Sequence, residues 1–596
     1  MRRYLEKHSI DPTPGLFAAL ACGLLAGTWR SGVVLGTPGG EAWGRMFVAA
    51  QVRRWLTGEA TAGRADLLAF PEGMPFWPVD PVVQVFQVPL GAWLGEPRGL
   101  VAVAAGLLFL AGVGPYALAR TAGASRLGAL ATGLLVQLST PIHRNLREGI
   151  LEVAAVGLLA LAARACLLAL KTPGWRRLLS VGLFVALLAG TSPYYAVYLA
   201  LGCAFAALCT PGRWRRWLGI TLAGALACTL VAGPLVVLEG GEDGRLGSEW
   251  RSGGFHPAPS VLLQAEVGEV DGDVSLSAAS LASPDPPGPK TMGVRTRPFE
   301  HLVHRLPGGM AILLALALGL GVSSGRSWAL LSAAFFVTGP GLLLLLRLLG
   351  IHIPLEQAPL GRLLDAVPLT SVLGNPSRLV VTFLLPAAVA GGLAASRRWP
   401  WVVLLVGVAV ADLTITLKPA IVPSFPYLEE PAVLAALHGP TVVFPSGDRP
   451  CWNPEVGPKE PAYLASRAGV PIATDYGRGR PPADLPVQVG LSRISGVPIG
   501  EHALKGARTL ELGPPAPFRC LLVLEDRLPP AGRERLLAWL AAHSDLLARG
   551  DRSSAWRIPE GGWTFPALRM EEWQPVKPST HRPRLWGGPE GGREPA

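Results

Sequence analysis

LVAVAAGLLFLAGVGPYALA, residues 100–119, is a run of twenty residues without a charge. At ~1.5 Å per residue a helix of that length crosses the ~30 Å hydrocarbon core of a bilayer. The run predicts a membrane span, and it has company. Apolar runs at 16–36, 127–142, 149–170, 177–191, 193–209, 216–238, 307–322, 328–349, 377–396 and 400–417 bring the expected number of spans to eleven. Of 596 residues 50% are hydrophobic and only 16% charged, against ~25% charged in soluble domains. Mean hydropathy is +0.37. This composition excludes intrinsic disorder, a coiled coil and a wholly soluble enzyme. The expected fold class is mainly α: a polytopic transmembrane helical bundle with soluble mass attached.

Basic residues set the orientation, because short cytoplasmic loops collect Lys and Arg. The short basic loops hold Arg120 and Arg126, then Lys171, Arg176 and Arg177, then Arg213, Arg215 and Arg216, then Arg326, then Arg397 and Arg398. Eleven spans starting from a cytoplasmic N-terminus put all of them inside. The run 81–95 decides the count. Read as a span, it would invert everything after it, so it is read as an interfacial or re-entrant helix. The run 16–36 lacks a small-residue cleavage site and is read as a span, not a secretory signal. The expected location is a bacterial plasma membrane. The net charge of +11 is absorbed by these loops; no basic, aromatic patch of a nucleic-acid binder stands out.

Segments 37–99, 239–306 and 350–376, and all that follows 417, are then external. Residues 239–306 are rich in Gly, Pro and Ser, with one short apolar helix expected near 260–266. The chain after 420 differs in character. TVVF at 441–444 and CLLVL at 520–524 read as buried strands, 531–549 as a helix, and SAWRI at 554–558 as a closing strand. The expected domains are 1–419 in the membrane, an external α/β domain over 420–575, and a disordered tail over 576–596. Five of the seven cysteines lie in apolar runs. Cys451 and Cys520 both fall outside, where a disulfide and two free thiols both stay open.

Polar groups gather on the external side. Residues 36–60, GTPGGEAWGRMFVAAQVRRWLTGEA, space Trp43, Phe47, Val48, Val52, Trp55 and Leu56 as an amphipathic helix, expected to lie on the bilayer surface with Glu41 in its first turn. The plain reading of Glu41 is a helix cap. A Pro-rich return at 70–91 carries Glu72 and Asp80. The loop TPIHRNLREG at 140–149 carries His143, Arg144 and Arg147 against the charge rule; two Arg three residues apart can grip a phosphate. Glu148 and Glu152 are spaced to share a helix face, and a carboxylate at the membrane boundary is a functional candidate. Tyr194 and Tyr195 in TSPYYAVY fit an aromatic belt, and Arg378 opens a later span. No ligand cluster for a metal or other cofactor stands out. Arginines beside carboxylates near lipid suit an anionic, lipid-linked substrate, with Arg on the leaving phosphate and a carboxylate as general base.

The order of these features resembles the GT-C class of membrane glycosyltransferases. The resemblance covers most of 16–417 and rests on PEG at 71–73, the loop at 139–148, SPYY at 192–195, PSR at 376–378 and the α/β tail. It implies an external active site and transfer, with inversion, of a sugar from a polyprenyl-phosphate donor to a glycan, lipid or protein acceptor. The family's acidic residue after the first span, usually Asp, corresponds to Glu41, one methylene longer. Asp80, Glu148 and Glu152 are candidates for a second carboxylate. His143, Arg144, Arg147, Glu152, Tyr194, Tyr195 and Arg378 are candidates for substrate binding. Some members of the class bind a divalent metal and others do not. Two other readings stay open: a non-catalytic GT-C-like scaffold in envelope polysaccharide biogenesis, and a transporter or lipid flippase. The second would want charges at mid-membrane.

Overall fold

The computed structural model of the chain describes residues 11–36, 41–68, 71, 73–78, 80–147, 149–239, 309–338, 380–416, 422, 424–426, 430–445, 460–473, 485–495, 518–528, 530–560 and 563. Helix α1 (Thr13–Leu24) leads to strand β1 (Val33–Leu35), helix α2 (Ala42–Leu56), the short pair β2 (Arg64–Ala65) and β3 (Met74–Pro75), then α3 (Pro81–Leu94). A continuous helical series follows: α4 (Glu96–Ala122), α5 (Arg126–Gln137), α6 (Thr140–Arg147), α7 (Val156–Lys171), α8 (Trp175–Ala189), α9 (Pro193–Cys209) and α10 (Trp214–Glu239). Further on come α11 (Gly309–Leu320), α12 (Ser323–Thr338), α13 (Val380–Ala395) and α14 (Trp399–Thr416). The C-terminal part holds β4 (Ser424–Pro426), α15 (Pro431–Ala435), β5 (Thr441–Phe444), α16 (Glu460–Ala468), α17 (Leu485–Ser495), β6 (Cys520–Leu524), α18 (Pro530–His543), β7 (Asp545–Arg549) and β8 (Ser553–Arg557).

The chain is mainly helical. Among the described residues Glu96–Ala122, Glu152–Lys171 and Trp214–Pro234 are long and apolar enough to cross a membrane. The uncharged run 100–119 is the heart of α4. Left-handed Gly95 (φ 88°) breaks the chain before it, and left-handed Gly123 (φ 106°) closes it. Ser125 then caps α5, its Oγ accepting from the Gly128 amide at 3.1 Å. Helices α4 and α7 cross where Gly114 meets the Gly157 backbone and Gly157 meets Leu110, an approach that leaves no room for a Cβ. Without a hydrophobic force between helices in lipid, such close backbone packing holds them together. Gln137 joins three helices, its Nε2 donating to the Phe17 carbonyl at 2.9 Å and the Leu108 carbonyl at 3.2 Å.

Several expectations shift. The run 16–36 is not one helix: α1 ends at Leu24, and β1 pairs antiparallel with β4, Val34 opposite Phe425. Extended backbone there finds its hydrogen-bond partners in the segment after α14. The run 127–142 breaks at Leu138, and a 3-10 turn at Glu152–Ala155 precedes α7. The surface helix expected over 36–60 is instead an interior one. Ala42 to Gln51 of α2 are buried except Arg45, because α16 covers the side that periodicity alone assigned to lipid or water. The rings of Trp43 and Tyr463 pack at a tilt of 41°, their centroids 5.7 Å apart.

In the C-terminal sheet the order is β5-β6-β8-β7; β5 and β6 are parallel and the other pairs antiparallel. Strand alternation gives it two apolar faces. Val442, Phe444, Leu521, Val523 and Trp556 pack with Leu491, Leu536 and Leu540 of α17 and α18. Val443, Leu522, Leu524 and Ala555 join the core that continues through α16 to α2. The helix expected over 531–549 stops at His543, and Asp545–Arg549 forms the edge strand β7 beside β8. Cys520 carries a free thiol 3.3 Å from the His438 carbonyl. Cys451, the segments 239–306 and 350–376 apart from Glu239 itself, and the tail 576–596 lie outside the described residues.

Candidate active site

Helix α2 positions the site. Glu41 is its N-cap residue, and the Glu41 side chain makes no capping bond to the helix amides. The plain reading of Glu41 as a cap is therefore not the arrangement found. One turn on, Arg45 donates its amide to the Glu41 carbonyl at 3.1 Å. The Arg45 guanidinium reaches two carboxylates, pairing through one nitrogen with Asp80 and through another with Glu152. The three side chains are 11%, 2% and 9% exposed. Charges this buried persist only when paired.

Asp80 stands at the N-terminus of α3, where Pro81 starts the helix. Its other oxygen accepts from Gln84 Nε2 at 3.1 Å. Gln87, one turn further, donates to the Arg45 carbonyl at 3.2 Å. Arg53, two turns along α2 from Arg45, pairs with Glu96 at the start of α4. Helix α3 thus lies beside α2, tied to it at Arg45, with Val85, Phe86 and Trp93 exposed. Its fourteen residues span about 21 Å, short of a bilayer core.

A second strand of chain holds Glu41 in place. Helix α6 ends at Arg147, and Gly149 takes φ +71°. A Cβ on Gly149 would stand 2.5 Å from the Ala42 nitrogen, and one on left-handed Gly36 2.8 Å from the Arg147 carbonyl. The backbone entering α2 is therefore pressed against the end of α6, directly beside Glu41. Glu152 sits beyond the turn at Gly149, on a separate 3-10 turn, while Glu148, expected to share a helix face with it, lies outside the described residues.

The α8–α9 turn closes the third side, with the Val82 amide donating to the Gly190 carbonyl at 2.8 Å. Tyr194 and Tyr195 follow at the start of α9 and are buried, 8% and 0% exposed, so they are interior groups and not a lipid-facing belt. Ser192 Oγ, Gln84 Oε1 and Gln87 Oε1 are buried without a hydrogen-bond partner among the described residues.

The structure thus gathers Glu41, Asp80, Glu152 and the Arg147 backbone on α2, α3, the 3-10 turn and the end of α6. His143 departs from the substrate-binding expectation. It is fully buried, and its Nε2 lies 2.7 Å from the Gln137 carbonyl as a donor. Burial pulls its pKa down to about 4, so the ring is neutral. Glu148, Glu72 and Arg378, and the side chain of Arg144, lie outside the described residues. Sequence reasoning missed Arg45, Gln84 and Gln87. Their signals were present: a basic residue one helical turn after Glu41, and two polar residues three apart in an otherwise apolar run. Chemically, the arrangement holds several carboxylates and one guanidinium at the ends of helices. That suits proton transfer and charge stabilisation beside an anionic substrate.

This architecture is the one seen in the GT-C glycosyltransferases, which are the structural neighbours of the chain. The arabinofuranosyltransferase AftD from mycobacteria is similar over 92% of this chain at 14% identity, with a TM-score of 0.52. The matched part is 40% of AftD, so the chain spans less than half the length of that enzyme. The oligosaccharyltransferase of Archaeoglobus fulgidus matches 92% of this chain and 75% of its own at 12% identity, TM-score 0.47. ArnT from Cupriavidus metallidurans, bound to undecaprenyl phosphate, matches 92% and 99% at 13% identity, TM-score 0.35. What the chain shares with AftD at 14% identity is the fold. No family model and no curated protein matches the sequence.

Proposed function

We propose that the chain is an integral-membrane glycosyltransferase that moves a sugar from a polyprenyl-phosphate donor to an acceptor on the external membrane face. The observation that carries this reading is the buried cluster of Arg45, Asp80 and Glu152 beside Glu41, on a GT-C fold. In this reading about eleven spans leave the N-terminus in the cytoplasm of a bacterial cell. The α/β domain over 420–575 then lies outside the plasma membrane and covers the site. Glu41 takes the proton of the acceptor hydroxyl or amine. The acceptor atom bonds to the anomeric carbon as the bond from that carbon to the phosphate oxygen breaks, and the lipid phosphate leaves. A single displacement inverts the anomeric centre. Arg144, Arg147 and Arg378 meet the phosphate charge, and Tyr194 and Tyr195 line the wall behind it.

A scaffold without catalysis is the second reading. It is favoured by Glu41 standing where the class usually has Asp, and by the engagement of Asp80 and Glu152 with Arg45.

The test uses purified chain in lipid with radiolabelled polyprenyl-phosphate sugars. Turnover that collapses on the order of 10²–10⁴-fold in Glu41→Gln while lipid binding persists supports the base role. Weaker lipid binding in Arg147→Ala supports the phosphate contact. Folded wild type that binds none of these lipids overturns the transferase reading in favour of the scaffold.

A further inference from the structure

The class that the sequence resembles includes members that bind a divalent metal, and the paired carboxylates of Asp80 and Glu152 are the group here whose chemistry can be tested for one. Their surroundings do not fit a metal. A hard cation needs oxygens free to converge on it at ~2.0–2.6 Å. Here Asp80 Oδ2 and Glu152 Oε1 both face the Arg45 guanidinium, and Asp80 Oδ1 accepts from Gln84 Nε2. An ion on the same oxygens would sit against a full positive charge in a buried setting, where like charges repel strongly. Among the described residues no group of three His, Cys, Asp or Glu side chains is arranged to ligate one.

We infer that Arg45 is the resident cation of this site and stands in for a metal. It rises from α2 one turn after Glu41 and fastens Asp80 on α3 and Glu152 before α7. Three elements distant in sequence are thereby held at one point by one charge. Arg45 is a positioning residue: its five fixed N–H donors allow two carboxylates to be met at once, which a lysine point charge does less well. Removing it leaves two buried anions facing each other. Removing one carboxylate as well relieves that repulsion, which a purely space-filling role would not do.

The inference shares its site with the proposed transferase, but its test uses no sugar transfer, so the two can fail separately. Full-length chain in lipid nanodiscs is titrated with Mn²⁺ alone, read by electron paramagnetic resonance. Thermal unfolding is compared for wild type, Arg45→Met and Arg45→Met/Asp80→Asn. We expect no stoichiometric Mn²⁺ on the wild type, a lowered melting temperature in Arg45→Met, and recovery of at least half that loss in the double variant. One Mn²⁺ bound by wild type, with affinity weakened tenfold or more by Asp80→Asn, overturns the inference. So does a double variant no more stable than Arg45→Met. The wild-type titration decides the matter even if the Arg45 variants fail to fold.

Discussion

Replacing Gly149 by Ala tests whether the end of α6 positions Glu41. Two costs follow from the geometry. Gly149 has φ +71°, and an L-residue held in that left-handed region costs about 1–2 kcal/mol. The added Cβ would also stand 2.5 Å from the Ala42 nitrogen and 2.9 Å from its Cα, where ordinary contact begins at 3.4 Å. The two backbones must therefore part by about 0.9 Å, and overpacking of this kind costs about 1–3 kcal/mol. Gly58 supplies the control. Its φ of +77° matches, yet nothing lies within 4 Å of a Cβ built there. Gly58→Ala should lose about 1–2 kcal/mol and Gly149→Ala about 2–5 kcal/mol in unfolding experiments run side by side. A displacement near 1 Å at the start of α2 also moves Glu41, which should lower any transfer rate on the order of 10²-fold. If the two variants unfold alike, the close approach of α6 to α2 is not a constraint, and the account of how Glu41 is held is refuted.

Three other outcomes follow. Burial lifts the Glu460 carboxyl to about 7 despite neighbouring Arg527, against 4.5 for an ordinary Glu. The folded chain then keeps a proton that the unfolded chain releases, so stability falls by about 3 kcal/mol as pH rises from 4.5 to 7; Glu460→Gln should flatten that slope in unfolding measured across pH. His143 has the opposite sign: with its pKa at about 4 against 6.5, the unfolded chain is protonated first, and stability falls by about 3 kcal/mol as pH drops from 6.5 to 4. His143→Asn should remove that acid sensitivity, and a slope of the other sign in either comparison contradicts the burial argument. At the crossing of α4 and α7, Gly157→Ala drives a Cβ into the Leu110 backbone and should cost about 1–3 kcal/mol. Gly106→Ala on α4, facing open space, should be neutral or stabilising in the same thermal assay.

The helical bundle was legible in the sequence because lipid imposes a one-dimensional rule: backbone polar groups must be satisfied within the segment, so apolar length announces helices. The runs at 100–119 and 193–209 appear as α4 and α9 nearly where read. The strands at 441–444 and 520–524 were legible for a related reason, being short β-rich runs bounded by turn residues. Helix α2 was misplaced because periodicity shows that a helix has an apolar side and is silent about what covers the other. The partner here, α16, is more than four hundred residues away in sequence. The edge strand β7 was read as helix because Asp545–Arg549 carries no alternation of its own; only pairing with β8 makes it a strand.

The site divides in the same way. Glu41, Asp80 and Glu152 stood out singly, since a carboxylate beside an apolar run costs solvation and invites explanation. Sequence alone determined that these acids exist, that they lie at the ends of apolar segments, and that the chain is a helical membrane protein. Only the tertiary structure decided that Arg45 joins Asp80 to Glu152 and that His143 is sealed and neutral. The physical reason is that solvation and hydrogen-bond demands act locally along the chain. The pairing of buried charges is settled by which distant segments pack together.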